Sequence, residues 1–295
     1  MLEVDAVTRT YGDTKAVDSV SFTVSSGAMV GFVGGNGAGK TTTMRMIMGI
    51  LAPDSGTVRW QGQELNRAIR SRIGYMPEER GLYPKQPILE QLVYLARLHG
   101  MSQRESRERI GALLERFGLG DRMGDRVETL SLGNQQRGQI IAAVLGEPVA
   151  LVLDEPFSGL DPAAVDQMSE LLREHTAAGV PVLFSSHQLD LVDRLCDSIV
   201  VLHQGKVVAR GTSDQLRDTG HLRYRLYVEG DAGWVREQGG LRVLDLDGPH
   251  ALVEIEGGDQ QAAQRLLREA VSRGKVHEFS RVRPTLSEIY REVAA

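Results

Sequence analysis

A glycine-rich segment near the amino terminus constrains the fold more than any other part of the sequence. It fits the pattern G-x-x-x-x-G-K-[ST], which requires a strand before it and a helix after it. The apolar run Met29–Val33 predicts the strand, and Lys40–Ile50 has helical spacing. A glycine-rich turn without a ligand is the alternative, but the pattern and both flanking elements favour a phosphate-binding turn. The residues concerned are Gly34, Gly35, Asn36, Gly37, Ala38, Gly39, Lys40 and Thr41, followed by Thr42.

The residue types in this segment predict how a phosphate would be held. Glycines allow backbone N–H groups to turn inward, and a helix amino terminus adds a partial positive charge. We expect Lys40 to reach the β- and γ-phosphates of a nucleotide and the Thr41 hydroxyl to ligate Mg²⁺. The segment therefore predicts a binding site for a nucleoside triphosphate and Mg²⁺.

A second candidate site follows another apolar strand. The run Leu151–Leu153 is followed by Asp154 and Glu155. A carboxylate at such a strand tip can hold Mg²⁺, and the next carboxylate can accept a proton from an attacking water. An acidic turn without catalytic function is common after a strand. Together with the phosphate segment upstream, however, the pair indicates a metal ligand, Asp154, and a general base, Glu155.

The order of elements predicts two domains. Residues 1–215 alternate short apolar runs with amphipathic stretches, which indicates an α/β fold with a parallel sheet. From residue 222 the pattern changes to βαββαβ followed by a helical tail, so we expect a small ferredoxin-like α+β domain over residues 220–295.

Composition narrows the class of protein. With 41% hydrophobic and 25% charged residues, the 295-residue chain is typical of a globular protein. The net charge of -5 argues against a nucleic-acid partner, and a single cysteine excludes an internal disulfide. The amino terminus lacks the apolar core of a signal peptide, and no run approaches the ~20 apolar residues of a spanning helix. We therefore expect a chain that does not cross a membrane by itself.

The segment Leu130–Arg137 resembles the signature motif of ABC ATPases, L-S-G-G-Q followed by Q-x-R. Ser131 and Gly133 match this motif, whereas Leu132 and Asn134 depart from it. The resemblance implies that Ser131, Gly133 and Asn134 close on the γ-phosphate held by a second subunit. A helix cap without a ligand is the alternative for an isolated segment of this kind.

Four further positions carry the same resemblance. Asp161 follows the acidic site as in the D-loop of the family, which lies at the dimer interface. His187 stands where the family has a histidine that contacts the γ-phosphate and the attacking water. Tyr11 resembles the aromatic residue that stacks on adenine, and ordinary strand-end packing is the alternative. Glu78 occupies the position where the family usually has a glutamine that touches Mg²⁺ and the membrane partner.

The resemblance covers residues 1 to about 215 and implies a P-loop NTPase core with a helical insertion at about 78–130. It implies an ATP-hydrolysing subunit of an exporter, using ATP and Mg²⁺, at the cytoplasmic face of the cell membrane. The expected partners are membrane-spanning permease subunits and a second ATPase subunit, identical or different, but no nucleic acid. Arg283–Tyr290 also looks like the carboxyl end of ATPase subunits from bacterial sodium, drug and antibiotic exporters. The alternative is a non-transport ABC ATPase that acts on ribosomes or DNA.

Overall fold

The computed structural model describes residues 1–79, 81–218, 222–256 and 259–293. The chain divides into two compact units, Met1–Thr212 and Ser213–Ala295. The first unit contains two sheets and the second contains one, and each unit has its own buried apolar residues. No helix in the described ranges combines enough length with enough apolar sequence to cross a membrane.

The first unit contains ten strands and seven α-helices in its described part. The strands are β1 (Leu2–Tyr11), β2 (Thr14–Val24), β3 (Met29–Val33), β4 (Ser55–Trp60), β5 (Gln63–Glu64), β6 (Ile73–Met76), β7 (Ala150–Leu153), β8 (Val182–Ser186), β9 (Ser198–His203) and β10 (Lys206–Gly211). The helices are α1 (Lys40–Ile47), α2 (Arg67–Arg70), α3 (Ile88–Leu98), α4 (Gln103–Arg116), α5 (Leu132–Ala143), α6 (Pro162–Ala177) and α7 (Leu189–Leu195).

A six-stranded sheet in the order β10-β9-β3-β8-β7-β6 forms the centre of this unit. All its strands are parallel except β10, which pairs antiparallel with β9. Strands β3, β7 and β8 are buried along their whole length, as the apolar runs within them predict. Because parallel strands end at one edge, the loops after β3, β6, β7 and β8 meet there, where ligands bind in open α/β sheets.

A second, antiparallel sheet in the order β2-β1-β4-β5 shares its core with the first sheet. The cluster includes Phe22 from β2, Phe32 from β3, and Met44 and Ile47 from α1. The rings of Phe22 and Phe32 lie 5.0 Å apart between centroids. Apolar side chains therefore anchor helix α1 in the core. The glycine-rich loop between β3 and α1 thus connects two buried elements.

The helical insertion begins after β6 and contains α3 and α4. These two helices pack against each other, and both contact α5. Gly138 on α5 makes this packing possible, since a Cβ atom there would lie 2.7 Å from Cδ1 of Ile88 on α3. The insertion thus rests on the helix that the signature-like segment begins.

The second unit contains α8 (Ser213–Arg217), β11 (Leu222–Val228), β12 (Leu241–Asp247), β13 (His250–Ile255), α9 (Gln260–Arg273), β14 (Val276–Val282) and α10 (Leu286–Val293). Its antiparallel sheet has the order β12-β13-β11-β14, with a 3₁₀ turn, Gly233–Glu237, after β11. Apolar residues of the sheet pack with Leu266 and Ala270 of α9. The predicted ferredoxin-like arrangement is confirmed, with a 3₁₀ turn in place of the first helix.

Some predicted bounds were wrong. The sequence does not predict strand β10, because its residues are alternately exposed and half-exposed, which weakens its hydrophobic signal. The sequence of residues 19–24 predicts a strand, but β2 begins earlier, at Thr14, and passes through a positive φ of 53° at Ser19, where its pairing with β1 is irregular. Helix α1 ends at Ile47 rather than Ile50, and Gly49 follows with a φ of 69°. These errors lie at edges and ends, where burial constrains the chain least.

Candidate functional site

The loop between β3 and α1 has a conformation that depends on glycine. Gly37 and Gly39 have φ values of 76° and 103°. A Cβ atom on Gly39 would also lie 2.6 Å from the carbonyl oxygen of Ala16. A side chain at Gly39 is therefore excluded by both backbone conformation and space. The loop curves around a cavity of about 310 Å³ that residues 35–42 line.

Lys40 lies in the first turn of α1 and is 9% exposed. Its Nζ donates hydrogen bonds to the carbonyl oxygens of Gly34 at 2.7 Å and Gly35 at 3.3 Å. Gly34 does not line the cavity itself, since it is enclosed by the backbone of Leu202 and by Ala38. The ammonium group is thus held at the cavity by backbone oxygens of the same loop.

Asp154 follows β7 directly and is 1% exposed. Its Oδ1 accepts a hydrogen bond of 2.5 Å from the hydroxyl of Ser185 on β8. Its Oδ2 is buried and has no hydrogen-bond partner among the described residues. A buried carboxylate oxygen without a donor is costly unless another positive group satisfies it.

The residues present fit a hard divalent cation such as Mg²⁺. Asp154, Thr41 and Glu78 all line the cavity, and each offers an oxygen donor. The Thr41 hydroxyl donates to Oε2 of Glu78 at 3.4 Å. Mg²⁺ takes oxygen ligands and is commonly held by one or two carboxylates together with substrate phosphates. Asp154 Oδ2 is the strongest indication of such an ion.

Glu155 is fixed by three contacts beside the cavity. Its backbone N–H donates to the Ser185 hydroxyl at 2.8 Å, and Oε2 lies 3.0 Å from Nδ1 of His187. Nε2 of Gln136 donates to its carbonyl oxygen at 2.9 Å. The φ of Glu155 is 50°, a strained value for a residue with a side chain. The surrounding structure therefore holds Glu155 in one particular orientation.

Burial raises the pKa of the Glu155 carboxyl above its ordinary value. Interactions with His187 and Lys40 lower this pKa, whereas Asp154 raises it further. Desolvation is the largest of these influences, so the carboxyl binds a proton more readily than an exposed glutamate would. A carboxyl of this kind is suited to accepting a proton.

A second cavity of about 260 Å³ adjoins the first. Asn36, Glu78 and Glu155 line both cavities, whereas His187 and Gln136 line only the second. The structure thus brings His187 to the Glu155 side of the phosphate loop. The side chain of His187 is 61% exposed and open to a ligand.

Five other predicted site residues do not line the phosphate cavity of this single chain. Ser131 caps α5, with its hydroxyl accepting a hydrogen bond of 3.3 Å from the Asn134 N–H. Gly133 packs toward the carbonyl of Gly159. Asp161 caps α6 and pairs with Arg137 at 2.9 Å.

Tyr11 is the fifth of these residues. It ends β1, is 52% exposed and lies beside Arg9, whose guanidinium carbon is 5.2 Å from the ring centroid. Its ring is accessible at the surface.

Sequence reasoning assigned no role to Ser185 and Gln136. Ser185 is a polar residue that follows an apolar run, but its place next to the strand that carries Asp154 is a property of the sheet and not of the local sequence. Gln136 donates to the carbonyls of Glu155 and Pro156 from the first turns of α5. That contact depends on the approach of α5 to the loop after β7, which no local pattern indicates.

Known families match both parts of the chain. Residues 17–158 match the family described as ABC transporter. Residues 211–294 match the family described as the C-terminal domain of DrrA1-3-like ATP-binding proteins.

Two curated relatives extend over nearly the whole chain. The uncharacterized ABC transporter ATP-binding protein YhaQ of Bacillus subtilis (strain 168) is 40% identical over 99% of this chain and 98% of its own length. The daunorubicin/doxorubicin resistance ATP-binding protein DrrA of Streptomyces peucetius is 33% identical over 98% of this chain and 91% of its own. A solved dimeric bacterial ABC transporter cassette matches with a TM-score of 0.66 and 25% identity, over 72% of this chain and 98% of that one.

Proposed function

The chain belongs to the ABC transporter ATP-binding proteins, and on this premise we propose that it powers an exporter by hydrolysing ATP for separate membrane-spanning permease subunits. The observation that carries the proposal is the meeting of Lys40, Asp154 and Glu155 around one cavity after β3 and β7. Lys40 can bind a polyphosphate, Asp154 can bind a cation, and Glu155 can accept a proton from water.

The phosphate loop binds the nucleotide in this proposal. Backbone N–H groups of residues 35–42 and the amino terminus of α1 offer partial positive charge to the phosphates. Lys40 adds a full positive charge, and its ammonium group is already oriented by hydrogen bonds to the carbonyl oxygens of Gly34 and Gly35. Tyr11, exposed at the end of β1, is proposed to stack on the adenine.

Thr41, Asp154 and Glu78 would hold Mg²⁺ beside the phosphates. When bound, the cation neutralises charge on the β- and γ-phosphate oxygens. Ser185 keeps Asp154 in place through its hydrogen bond to Oδ1, which leaves Oδ2 available. The contribution of this chain is to fix the carboxylate oxygens in advance of binding.

Hydrolysis transfers the γ-phosphoryl group to water. Glu155 accepts a proton from the attacking water as the new P–O bond forms and the bond to the β-phosphate oxygen breaks. His187, 3.0 Å from Glu155, orients that carboxylate and is positioned to contact the γ-phosphate. The positive φ of Glu155 and its contacts to Ser185 and Gln136 reduce the reorientation needed during the reaction.

The ABC cassettes of this family work as dimers, and a dimer supplies what a single chain lacks. We propose that Ser131, Gly133 and Asn134 contact the γ-phosphate bound by the partner subunit. Leu132, 59% exposed beside them, lines the cavity next to Glu155. Asp161 is proposed to lie at the same interface, where its bond to Arg137 holds the loop before α6.

A groove of about 340 Å³ between β6, α3 and α5 is the proposed docking place for a permease. Tyr75, Leu82, Leu95 and His99 are among the residues that line it. The groove begins at Pro77, next to Glu78. A shift of Glu78 on nucleotide binding would therefore reach a permease helix in the groove through the short loop after β6. The proposal places the chain at the cytoplasmic face of the membrane as a peripheral subunit.

Co-purification tests this role. The tagged full chain should recover a membrane protein with several spanning helices from detergent extracts, and recovery should depend on the groove. Leu95→Glu places a charge in the groove and should abolish recovery, whereas Glu105→Lys on the exposed side of α4 should not. Recovery of ribosomes or DNA instead, with no membrane protein, would contradict the exporter assignment.

A further inference from the structure

Glu78 adds a third carboxylate to the phosphate cavity. Asp154 and Glu155 also line this cavity, and Lys40 is the one cationic side chain among the described residues that line it. Oε2 of Glu78 accepts a hydrogen bond from the Thr41 hydroxyl at 3.4 Å. The carboxylate therefore stands beside the residue that would ligate a cation at the start of α1.

The charges of this cavity are unfavourable for a free nucleotide. Three carboxylates face one ammonium group, and that ammonium is already bonded to the carbonyls of Gly34 and Gly35. A triphosphate brings several more negative charges into a partly enclosed space, where like charges repel more strongly than in water. A triphosphate that arrives without a cation is therefore opposed by Glu78, Asp154 and Glu155 together.

The buried oxygen of Asp154 is an independent sign that a cation belongs here. Asp154 is 1% exposed, and its Oδ2 has no hydrogen-bond partner among the residues described. Oxygen donors from Asp154, Thr41 and Glu78 suit Mg²⁺ or Mn²⁺. A divalent cation would offset the negative charges and satisfy Oδ2 at the same time.

We propose that Glu78 makes nucleotide binding at this site conditional on a divalent cation. Its carboxylate disfavours the free triphosphate and favours the metal–triphosphate complex, because its charge acts with opposite sign on the two parts of that complex. A neutral amide at this position would not repel the free triphosphate, and its oxygen would attract the cation less strongly than a carboxylate does. This inference rests on the proposed nucleotide-binding function and assigns Glu78 as the residue that selects the metal complex.

Binding of a non-hydrolysable ATP analogue to the full chain tests the inference. Calorimetry gives the dissociation constant of the analogue with Mg²⁺ and with EDTA in place of Mg²⁺. The constant with EDTA divided by the constant with Mg²⁺ measures how strongly binding depends on the cation. In Glu78→Gln this ratio should fall about tenfold or more, mainly because binding with EDTA becomes tighter. The matched control is Glu79→Gln, which removes a carboxylate that is exposed like that of Glu78 but does not line the cavity.

The outcomes separate this inference from the function on which it rests. An unchanged ratio in Glu78→Gln, or an equal fall in Glu79→Gln, would overturn the role of Glu78 while leaving nucleotide binding intact. Failure of the wild-type chain to bind the analogue even with Mg²⁺ would instead contradict the proposed function itself.

Discussion

Nδ1 of His187 lies 3.0 Å from Oε2 of Glu155, and this contact joins the loops that follow two neighbouring parallel strands, β7 and β8. The Glu155 side chain is 14% exposed, whereas that of His187 is 61% exposed. Burial raises the pKa of Glu155, and the nearby imidazole lowers it. The proton affinity of the proposed base is therefore set by a balance between desolvation, which is the largest influence, and its charged neighbours, among which His187 is the exposed one.

This balance predicts the acid side of the pH–rate profile. A general base must be deprotonated, so ATP turnover should fall as the pH drops through the raised pKa of Glu155. His187→Ala removes a group that lowers this pKa, so the midpoint of the fall should move to higher pH. Turnover measured against pH checks this, with His175→Ala on α6 as the control. If the pH midpoint of this fall were the same in His187→Ala as in the wild type, the influence of His187 on the pKa of Glu155 would be contradicted.

Ser185 should matter for turnover more than for nucleotide binding. Its hydroxyl contacts both Asp154 Oδ1 and the Glu155 N–H. Hydrogen bonds to charged groups contribute about 1.5–3 kcal/mol, so Ser185→Ala should slow turnover on the order of 10- to 100-fold. The control is Ser186→Ala, whose hydroxyl accepts only from the Gln188 N–H among its described partners. An equal loss of turnover in Ser185→Ala and Ser186→Ala would contradict a specific role of the Ser185 hydroxyl.

The difference between Ser185 and Lys40 shows how far the sequence could lead. Lys40 follows a local pattern of strand, glycine loop and helix, and the spacing alone predicted the conformation of that loop. The role of Ser185 depends on β8 lying between β3 and β7, which is a property of strand order. Local spacing carries no information about that order, so the support behind Asp154 and Glu155 was not predicted.

Asp161 and Tyr11 illustrate a second limit. A resemblance to ABC ATPases suggested their roles, but neither residue lines the phosphate cavity. Asp161 is already engaged in capping α6 and in pairing with Arg137, and both contacts lower the pKa of its carboxyl. The predicted contacts of such residues involve a partner chain or a ligand, so a single chain cannot contain them.

The second unit should be dispensable for nucleotide binding. Every described residue that lines the two cavities next to the phosphate loop lies at or before His187. A chain that ends at Thr212 should therefore fold and bind Mg-ATP within a few-fold of the full chain. Calorimetry and thermal melting of both chains check this expectation. Folding without nucleotide binding would show that residues after Thr212 complete the site.

Glu155→Gln tests the central claim most directly, since it removes the proposed base while keeping the size and nearly all contacts of the side chain. Phosphate release and ATP affinity are measured side by side on the wild type, Glu155→Gln and Lys40→Ala. Turnover of Glu155→Gln should fall about 10²–10⁴-fold with ATP affinity retained, whereas Lys40→Ala should lose both. Turnover of Glu155→Gln within a few-fold of the wild type would contradict the account of this site.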